Sequence, residues 1–534
     1  MTGSATDREL FWADAVARSL SRDVPQVIRD SKTPSGPVPI SGLRGPVITD
    51  ALARAFRDNG LTVRYVFTID DFDPMDSQSM RQQVGMAEHM GKPFARIPSP
   101  DPAVASDFAR YHATRFLATF DRIGIRPEEL HWLRDLYGEG KLDHEIDLVL
   151  RHAATVREIY ASVSNVRKEA DWLPVWVVCE RCGKIGTTHA TDYDGTTVAY
   201  ECRRDYVPWA EGCGHQGRIA PFRGNAKLPW NLQWCAMWDF FAVTYEEGGK
   251  DLLTEGGSRD RANELYRAIW RKDPPAGLMH EFLTLGGKKM STSKGVGASA
   301  IELVELYPGE LVRFLMLRTH PKRAIEFDPA GNSLPRLIDE YDRCAEAYAT
   351  DPESDLGKIW KLSQRAPDPG RPGFVVRFSV VASWIQIPSI DPAREAARLN
   401  GSALTAAERA DLETRIGLAR VWLERWAPDE ARFAVAATLP HAAAALTEAQ
   451  RAFLGRAKDE IGRITDAEAM QERLYEIAKE VGLVTAEGKV SRDAFAALYL
   501  AFIGKPNGPR AAWLLVTLDP AFVSARLEEA SGRR

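Results

Sequence analysis

The sequence predicts an α/β fold followed by an all-α region, and three observations carry that expectation. A strand, a glycine-bearing loop, a helix and a second strand near the N-terminus form a βαβ unit. Four of the six cysteines fall between 179 and 213. From about Asn332 onward, helix-forming segments rich in Ala, Arg and Glu follow one another, with joints at TDPESD and APDPGRP.

In chain order, an apolar stretch around Val24 to Ile28 leads into TPSGPVPISGLRG, residues 33–45. Such a loop, opening a helix, suits an anion, because the first turn's N–H groups lack partners. Val47, Ala51, Leu52, Ala55 and Phe56 recur at helical spacing, and Gly60 is placed to end that helix. LTVRYVFTIDDFDP then reads as a buried strand with a polar tip. Ligands of such units bind at the carboxyl ends of the strands, where the loop and Asp70, Asp71 and Asp73 all fall. Asp70 and Asp71 equally suit strand-end acids that cap a neighbouring helix. Residues 101–170 read as helical and charged, and Ile301 to Leu317 as an apolar helix.

The 534 residues call for several domains, and the 45% apolar content supplies their cores. No stretch approaches the roughly 18 apolar residues of a membrane span, and the N-terminus lacks the basic-then-apolar layout of a signal peptide. A cytoplasmic protein is expected. A net charge of −5 excludes a globally basic nucleic-acid binder but leaves room for a local basic surface.

Cys179 and Cys182, in CERCGKIG, form a C-x2-C knuckle that aims two thiolates at one point; Cys202 and Cys213 complete a tetrahedron suited to zinc. The spacing between Cys202 and Cys213 is loose, which leaves His215 or His189 as an alternative fourth ligand. A site filled by four thiolates offers substrate no position, so its role would be structural. Cys235 and Cys344 read as core residues.

GGKKMSTSKGV, residues 286–296, places two lysines around a Ser/Thr run on a glycine-bounded loop. That combination can approach a polyphosphate and neutralise charge developing there. The run from Lys289 to Lys294 matches the KMSKS signature of class I aminoacyl-tRNA synthetases, in the form K-M-S-x-S-K-G. Together with TPSGPVPISGLRG, YVFTIDDFDPM, VCERCGKIGTT, GNAKLPWNLQWCAMWDFFAVTYEEGGKD, IEFDP and GKPNGPR, it makes the chain resemble class I lysyl-tRNA synthetases from about Val27 to Leu515.

The resemblance implies a Rossmann-type catalytic domain in two parts, residues 1–170 and 226–331. It also implies a zinc-bearing insertion over 171–225 and a helical anticodon-binding domain over 332–534. It implies lysine adenylation with ATP and Mg²⁺, transfer to tRNA, a structural Zn²⁺ and a monomer. Lys289 and Lys294 would stabilise the phosphate transition state, with Ser291 and Ser293 shaping the loop. Thr33, Pro34, Ser35, Gly36, Pro39, Ser41 and Gly42 would contact ATP, as would Met290 and Thr292. Ser31, Thr33, Asp70, Trp234, Trp238 and Asp251 would form the substrate side, although tryptophans four apart on a helix also suit a core.

The chain departs from the family pattern at four places. Pro39-Ile40-Ser41-Gly42 stands for H-I-G-N, Gly45 for an acid, Ser31 for a glycine, and Leu252 for a histidine. Two further readings therefore stay open: a synthetase-like paralogue with another amino acid or acceptor, and a non-catalytic tRNA-binding paralogue.

Overall fold

The computed structural model describes residues 11–83, 85–285, 288–289, 299–366, 373–387 and 390–532. β1 (Gln26–Lys32) and β2 (Val63–Ile69) pair in parallel, with Ser31 opposite Thr68 and Lys32 opposite Ile69. β3 (Glu129–Trp132) continues the parallel sheet beyond β2. Between β1 and β2 runs α1 (Arg44–Asp58), entered through a tight turn at Ile40–Leu43. All five apolar positions expected from its spacing are buried, and it ends where Gly60 takes φ +81°, a conformation that costs glycine little.

The other edge of β1 is extended by chain far away in sequence. The Tyr245 N–H donates to the Val27 carbonyl, and the Arg29 N–H donates back to the Tyr245 carbonyl. Ala276 and Met279–His280 follow in parallel beyond that segment. Because every neighbour is parallel, residues 30–32, 70, 246–249 and 280 all emerge at the same carboxyl edge. This is where a parallel sheet presents its ligand face.

The insertion is a separate antiparallel element. β4 (Trp176–Val177) pairs with β8 (Ala226–Lys227), and β5 (Thr188–Tyr193), β6 (Val198–Cys202) and β7 (Gln216–Ile219) form a three-stranded sheet. The chain then returns through α2 (Trp230–Phe240) and α3 (Ser258–Ile269) to β9 (Leu283–Leu285). β9 pairs antiparallel with β10 (Lys288–Lys289) and parallel with β11 (Ile325–Phe327).

The chain divides into two compact units, Met1–Asp328 with Arg343–Pro369, and Pro329–Asp342 with Gly370–Arg534. The stretch beginning at Arg343 therefore clusters with the first unit, whereas the sequence assigned everything from 332 to the helical domain. The reason lies in α5 (Asp355–Ser363) and its flank. The buried Arg313 of α4 (Gly309–Leu317) donates to the Leu362 carbonyl at 2.7 and 3.0 Å. Arg54 of α1 donates to the Gln364 carbonyl at 2.6 Å, and Lys361 pairs with Asp58 at 2.8 Å.

The second unit is helical, as expected. Buried Arg415 of α6 (Ala406–Arg425) holds Asp342 through both oxygens at 2.7 and 2.8 Å. Its core gathers Phe453, Leu474, Leu498, Phe502, Leu514 and Leu527 from five successive helices. In TEAQRAFLGRAK, Thr447 and Gln450 form a capping box that starts α7 (Glu448–Lys458). Three of the basic side chains there bond within the unit: Arg451 to the Ala530 carbonyl, Lys458 to Glu528, and Arg456 to Glu480. Among the described residues, no helix is long and apolar enough to cross a membrane.

Candidate active site

A cavity of about 470 Å³ opens at the carboxyl edge of the sheet. Of the residues expected to bind nucleotide or substrate, Ser31, Thr33, Ser35, Pro39, Ser41, Gly42, Asp70, Trp234 and Asp251 line it. Pro34 and Gly36 lie in the same loop but are not on the cavity wall. All four departures from the family pattern also open onto it, at Ser31, Pro39 and Ser41, Gly45 and Leu252.

The loop is held from below. Thr33 Oγ1 donates to Asp73 at 3.2 Å, and Asp73 pairs with the fully buried Lys227 at 2.5 Å. Asp71 takes the capping role rather than a ligand role, accepting from the Arg134 N–H at 2.8 Å at the start of the helix Leu133–Gly138. Arg44 is buried and donates to the carbonyls of Glu281, Phe282, Pro321 and Arg323 at 2.5–3.1 Å. It thus fastens the start of α1 to the chain entering β9.

Both flanks of the signature segment reach this loop. β9 begins with Leu283, which lines the cavity, and Lys289 pairs with Thr284 one residue on. On the far side, Ser299 bridges Pro39, and the Ala300 N–H donates to the Val38 carbonyl at 2.8 Å. Met290, Ser291, Thr292, Ser293 and Lys294 lie outside the described residues.

Trp238 departs from expectation. It is fully buried and absent from the cavity wall, and it stands behind Trp234 at a ring separation of 5.3 Å. The shared partner is Glu246. Its Oε2 accepts from the Trp234 indole N–H at 2.8 Å and from that of Trp238, while its Oε1 accepts from Arg29 at 2.8 Å. Arg29 also donates to Thr68 Oγ1 at 2.7 Å, and Thr68 Oγ1 donates in turn to Asp70 at 3.1 Å. Burial pushes the Asp70 carboxyl up to about 6, against the pull of Arg29 and with a push from Asp73.

That shift has a sign. A carboxyl that holds its proton more tightly when folded favours the folded state at low pH, and this contribution is lost as pH rises from 3.8 toward about 6. Asp70→Asn should flatten the stability profile across this window. Urea unfolding at several pH values checks it, and an unchanged slope would contradict the assignment.

Sequence reasoning missed Arg29, Asp30, Lys32, Glu246, Glu247 and His280, which all line the cavity. The adjacent acids of YEEGGKD are the signal for Glu246 and Glu247 in the sequence. Glu247 accepts from His280 Nδ1, and its Oε1 lies 2.8 Å from where a Cβ on Gly45 would stand. The space of the acid missing at 45 is thus taken by a carboxylate from the segment that follows Tyr245. Among the described residues Asp30 Oδ2 is buried without a hydrogen-bond partner, and its carboxyl is raised well above the usual range by burial and then by Glu247.

The four cysteine sulfurs converge, all within 4.8 Å of one another, with Cys179–Cys213 at 3.6 Å and Cys182–Cys202 at 3.7 Å. Tetrahedral zinc with bonds of about 2.3 Å requires sulfurs about 3.8 Å apart, so the set fits that ion. Gly183, directly after the second thiol, closes the knuckle at φ +73°, its N–H donating to the Cys179 carbonyl at 2.8 Å. Neither alternative ligand joins: His189 faces Glu169 and Asp171 at 3.7 Å, and His215 packs on Tyr200.

With this geometry in place, the comparisons with known proteins agree. Residues 10–366 match the family described as tRNA synthetases class I (K), and the chain belongs to that family. It is 32% identical to lysine--tRNA ligase 1 of Methanosarcina acetivorans, over 98% of both chains. It is 30% identical to the lysine--tRNA ligase of Archaeoglobus fulgidus, over 98% of this chain and all of that one. Among solved structures, a glutamate tRNA ligase from Elizabethkingia meningosepticum aligns over 96% of this chain and 100% of its own at 12% identity, with a TM-score of 0.43.

Proposed function

We propose that this chain activates lysine with ATP and transfers it to tRNA. One observation carries the reading: both flanks of the KMSTSK segment land on the loop that walls an acid-rich cavity. Six carboxylates line that cavity against three lysine and arginine side chains. A cationic amino acid suits this excess.

In the first step a lysine carboxylate oxygen attacks the α-phosphorus of Mg·ATP. The bond from that phosphorus to the bridging oxygen breaks, and pyrophosphate leaves with the electron pair. Lys289 and Lys294 neutralise charge on the phosphate oxygens, with Ser293 ordering the loop. In the second step the terminal ribose hydroxyl of tRNA attacks the carbonyl carbon of the adenylate, and AMP leaves. Ser31, Asp70, Trp234 and Asp251 form the amino-acid wall, and the Trp238 indole supports it from behind through Glu246. Residues 1–170 and 226–331 carry the catalytic chemistry, and the helices of the second unit, within 332–534, hold the anticodon. The four cysteines hold a structural Zn²⁺ in the 171–225 insertion. The enzyme acts as a monomer in the cytoplasm.

ATP–pyrophosphate exchange with a panel of amino acids tests this. Lysine-dependent exchange is expected, and exchange only with another amino acid would overturn it. The departures at Ser31 and Leu252 support a second reading, a synthetase with altered amino-acid choice, which the same panel decides. Lys294→Ala should lower exchange about 10²–10³-fold, as losing one transition-state donor does. Unchanged exchange would remove that lysine from the mechanism.

A further inference from the structure

The departures at the opening loop leave a chemical gap. Pro39 carries no donor for a phosphate oxygen, yet the surrounding cavity, the loop geometry and the anchoring of the signature flanks are all present. A cation that the sequence did not single out stands there instead.

Lys32 is the last residue of β1, and its side chain leaves the carboxyl edge into the cavity. Its Nζ lies 3.4 Å, and its Cε 3.8 Å, from the point a Cβ on Gly42 would occupy. The ammonium therefore stands beside the loop's own glycine, where a Cβ would collide with Val38 Cγ1 at 2.4 Å.

The three lysine and arginine side chains on the cavity wall differ in how they are engaged. Arg29 is held by Glu246 and Thr68, and Arg44 by four carbonyls. Lys32 Nζ makes no hydrogen bond and no ion pair with any described residue; Asp30 and Asp251 act on it only through space. Burial lowers its affinity for a proton. A bound anion would reverse that penalty, so the site is poorer for a free ammonium than for an ammonium with an oxyanion beside it.

We infer that Lys32 is a further catalytic residue, donating to a non-bridging α-phosphate oxygen of ATP and supplying at the loop the donor that Pro39 lacks. This rests on the adenylation reading above. As the lysine carboxylate adds and pyrophosphate departs, charge on the α-phosphate oxygens shifts, and Nζ–H holds one of them. No proton is transferred, and Lys32 ends the step as it began.

The experiment uses the full chain, with Lys32→Met, Lys32→Arg and each combined with Pro39→His. Lys32→Met should lower kcat of lysine-dependent ATP–pyrophosphate exchange about 10²–10³-fold while KM for lysine stays within about twofold. Lys32→Arg should retain most of the rate. Pro39→His should restore Lys32→Met by about tenfold or more, since the two donors serve one oxygen. An undiminished kcat, a rise in lysine KM alone, or no rescue by Pro39→His would each overturn the inference. If Lys32→Met does not give the parent's circular dichroism, Lys32→Gln takes its place.

If the parent shows no lysine-dependent exchange, the proposed function falls by itself. Lys32 is then decided by calorimetric binding of an ATP analogue with a methylene bridge between its α- and β-phosphorus. Binding weakened about tenfold or more by Lys32→Met keeps the assignment, and equal binding sinks it.

Discussion

Glu246→Ala is expected to lower the stability of the first unit by about 3–5 kcal/mol, which is the usual cost of removing one partner from a buried ion pair. Glu246 is 4% exposed and Arg29 2%. Without the carboxylate, the guanidinium keeps Thr68 but has no counter-charge nearer than Asp70 at 3.9 Å. The indole N–H groups of Trp234 and Trp238 also lose their acceptor, and each buried donor left unpaired adds to the cost. Arg259, which lies 4.5 Å from the Trp238 ring and 5.4 Å from that of Trp234, is then held against rings free to turn.

Glu246→Gln should also destabilise. Its amide offers one acceptor oxygen where three donors converge, and its NH₂ must face one of them. Urea unfolding of both variants measures the effect. A loss under about 1 kcal/mol for the alanine variant would mean that the cluster relaxes freely. Trp234 lines the cavity, so KM for the amino acid should rise in both.

The features legible in the sequence are those set by local pattern. The helix after the opening loop shows in the spacing from Val47 to Phe56, and its stop in Gly60, because a buried face and a left-handed turn both leave marks on neighbouring residues. The thiol knuckle is equally local. What escaped depends on contacts far apart in the chain. Glu246 and Glu247 follow a short apolar stretch and read as solvated acids until Tyr245 pairs with β1, some two hundred residues away. Lys32 looks like a surface lysine at a strand end; only the return of Gly42 over it makes it a wall of the cavity. Trp238 differs from Trp234 by one helical turn, and spacing alone does not say which ring faces the opening. The fourth member of the thiol cluster is ambiguous in the sequence for a similar reason: the loose run after Cys202 can be closed by several donors, and the fold brings in Cys213. The α5 segment was recognisable as helix, but its partners Arg313 and Arg54 are hidden in distant helices.

Cys182→Ser is expected to remove the zinc and unfold the insertion. The four sulfurs face one another in two pairs, at 3.6 and 3.7 Å, all within 4.8 Å. Hydrogen bonding from Cys182 pushes Cys202 down to about 4, while the same contact pushes Cys182 up. A dication answers that conflict by taking all four as thiolates. The three-stranded sheet of the insertion is short, and Cys202 is its last β6 residue, so the cluster stands where a small element needs a staple. Structural zinc sites of this type carry apparent binding energies of about 10–16 kcal/mol at neutral pH, far above what a few short strands can supply. The parent should therefore contain one zinc per chain, and Cys182→Ser much less. Chelation should produce a new, low-temperature unfolding step in the parent that is already present in the variant. Because thiolates fill the whole coordination shell, exchange activity of the zinc-free chain should fall only as its folded fraction falls. Zinc-free parent protein with an unaltered melting curve would show that the cysteines are ordinary core residues.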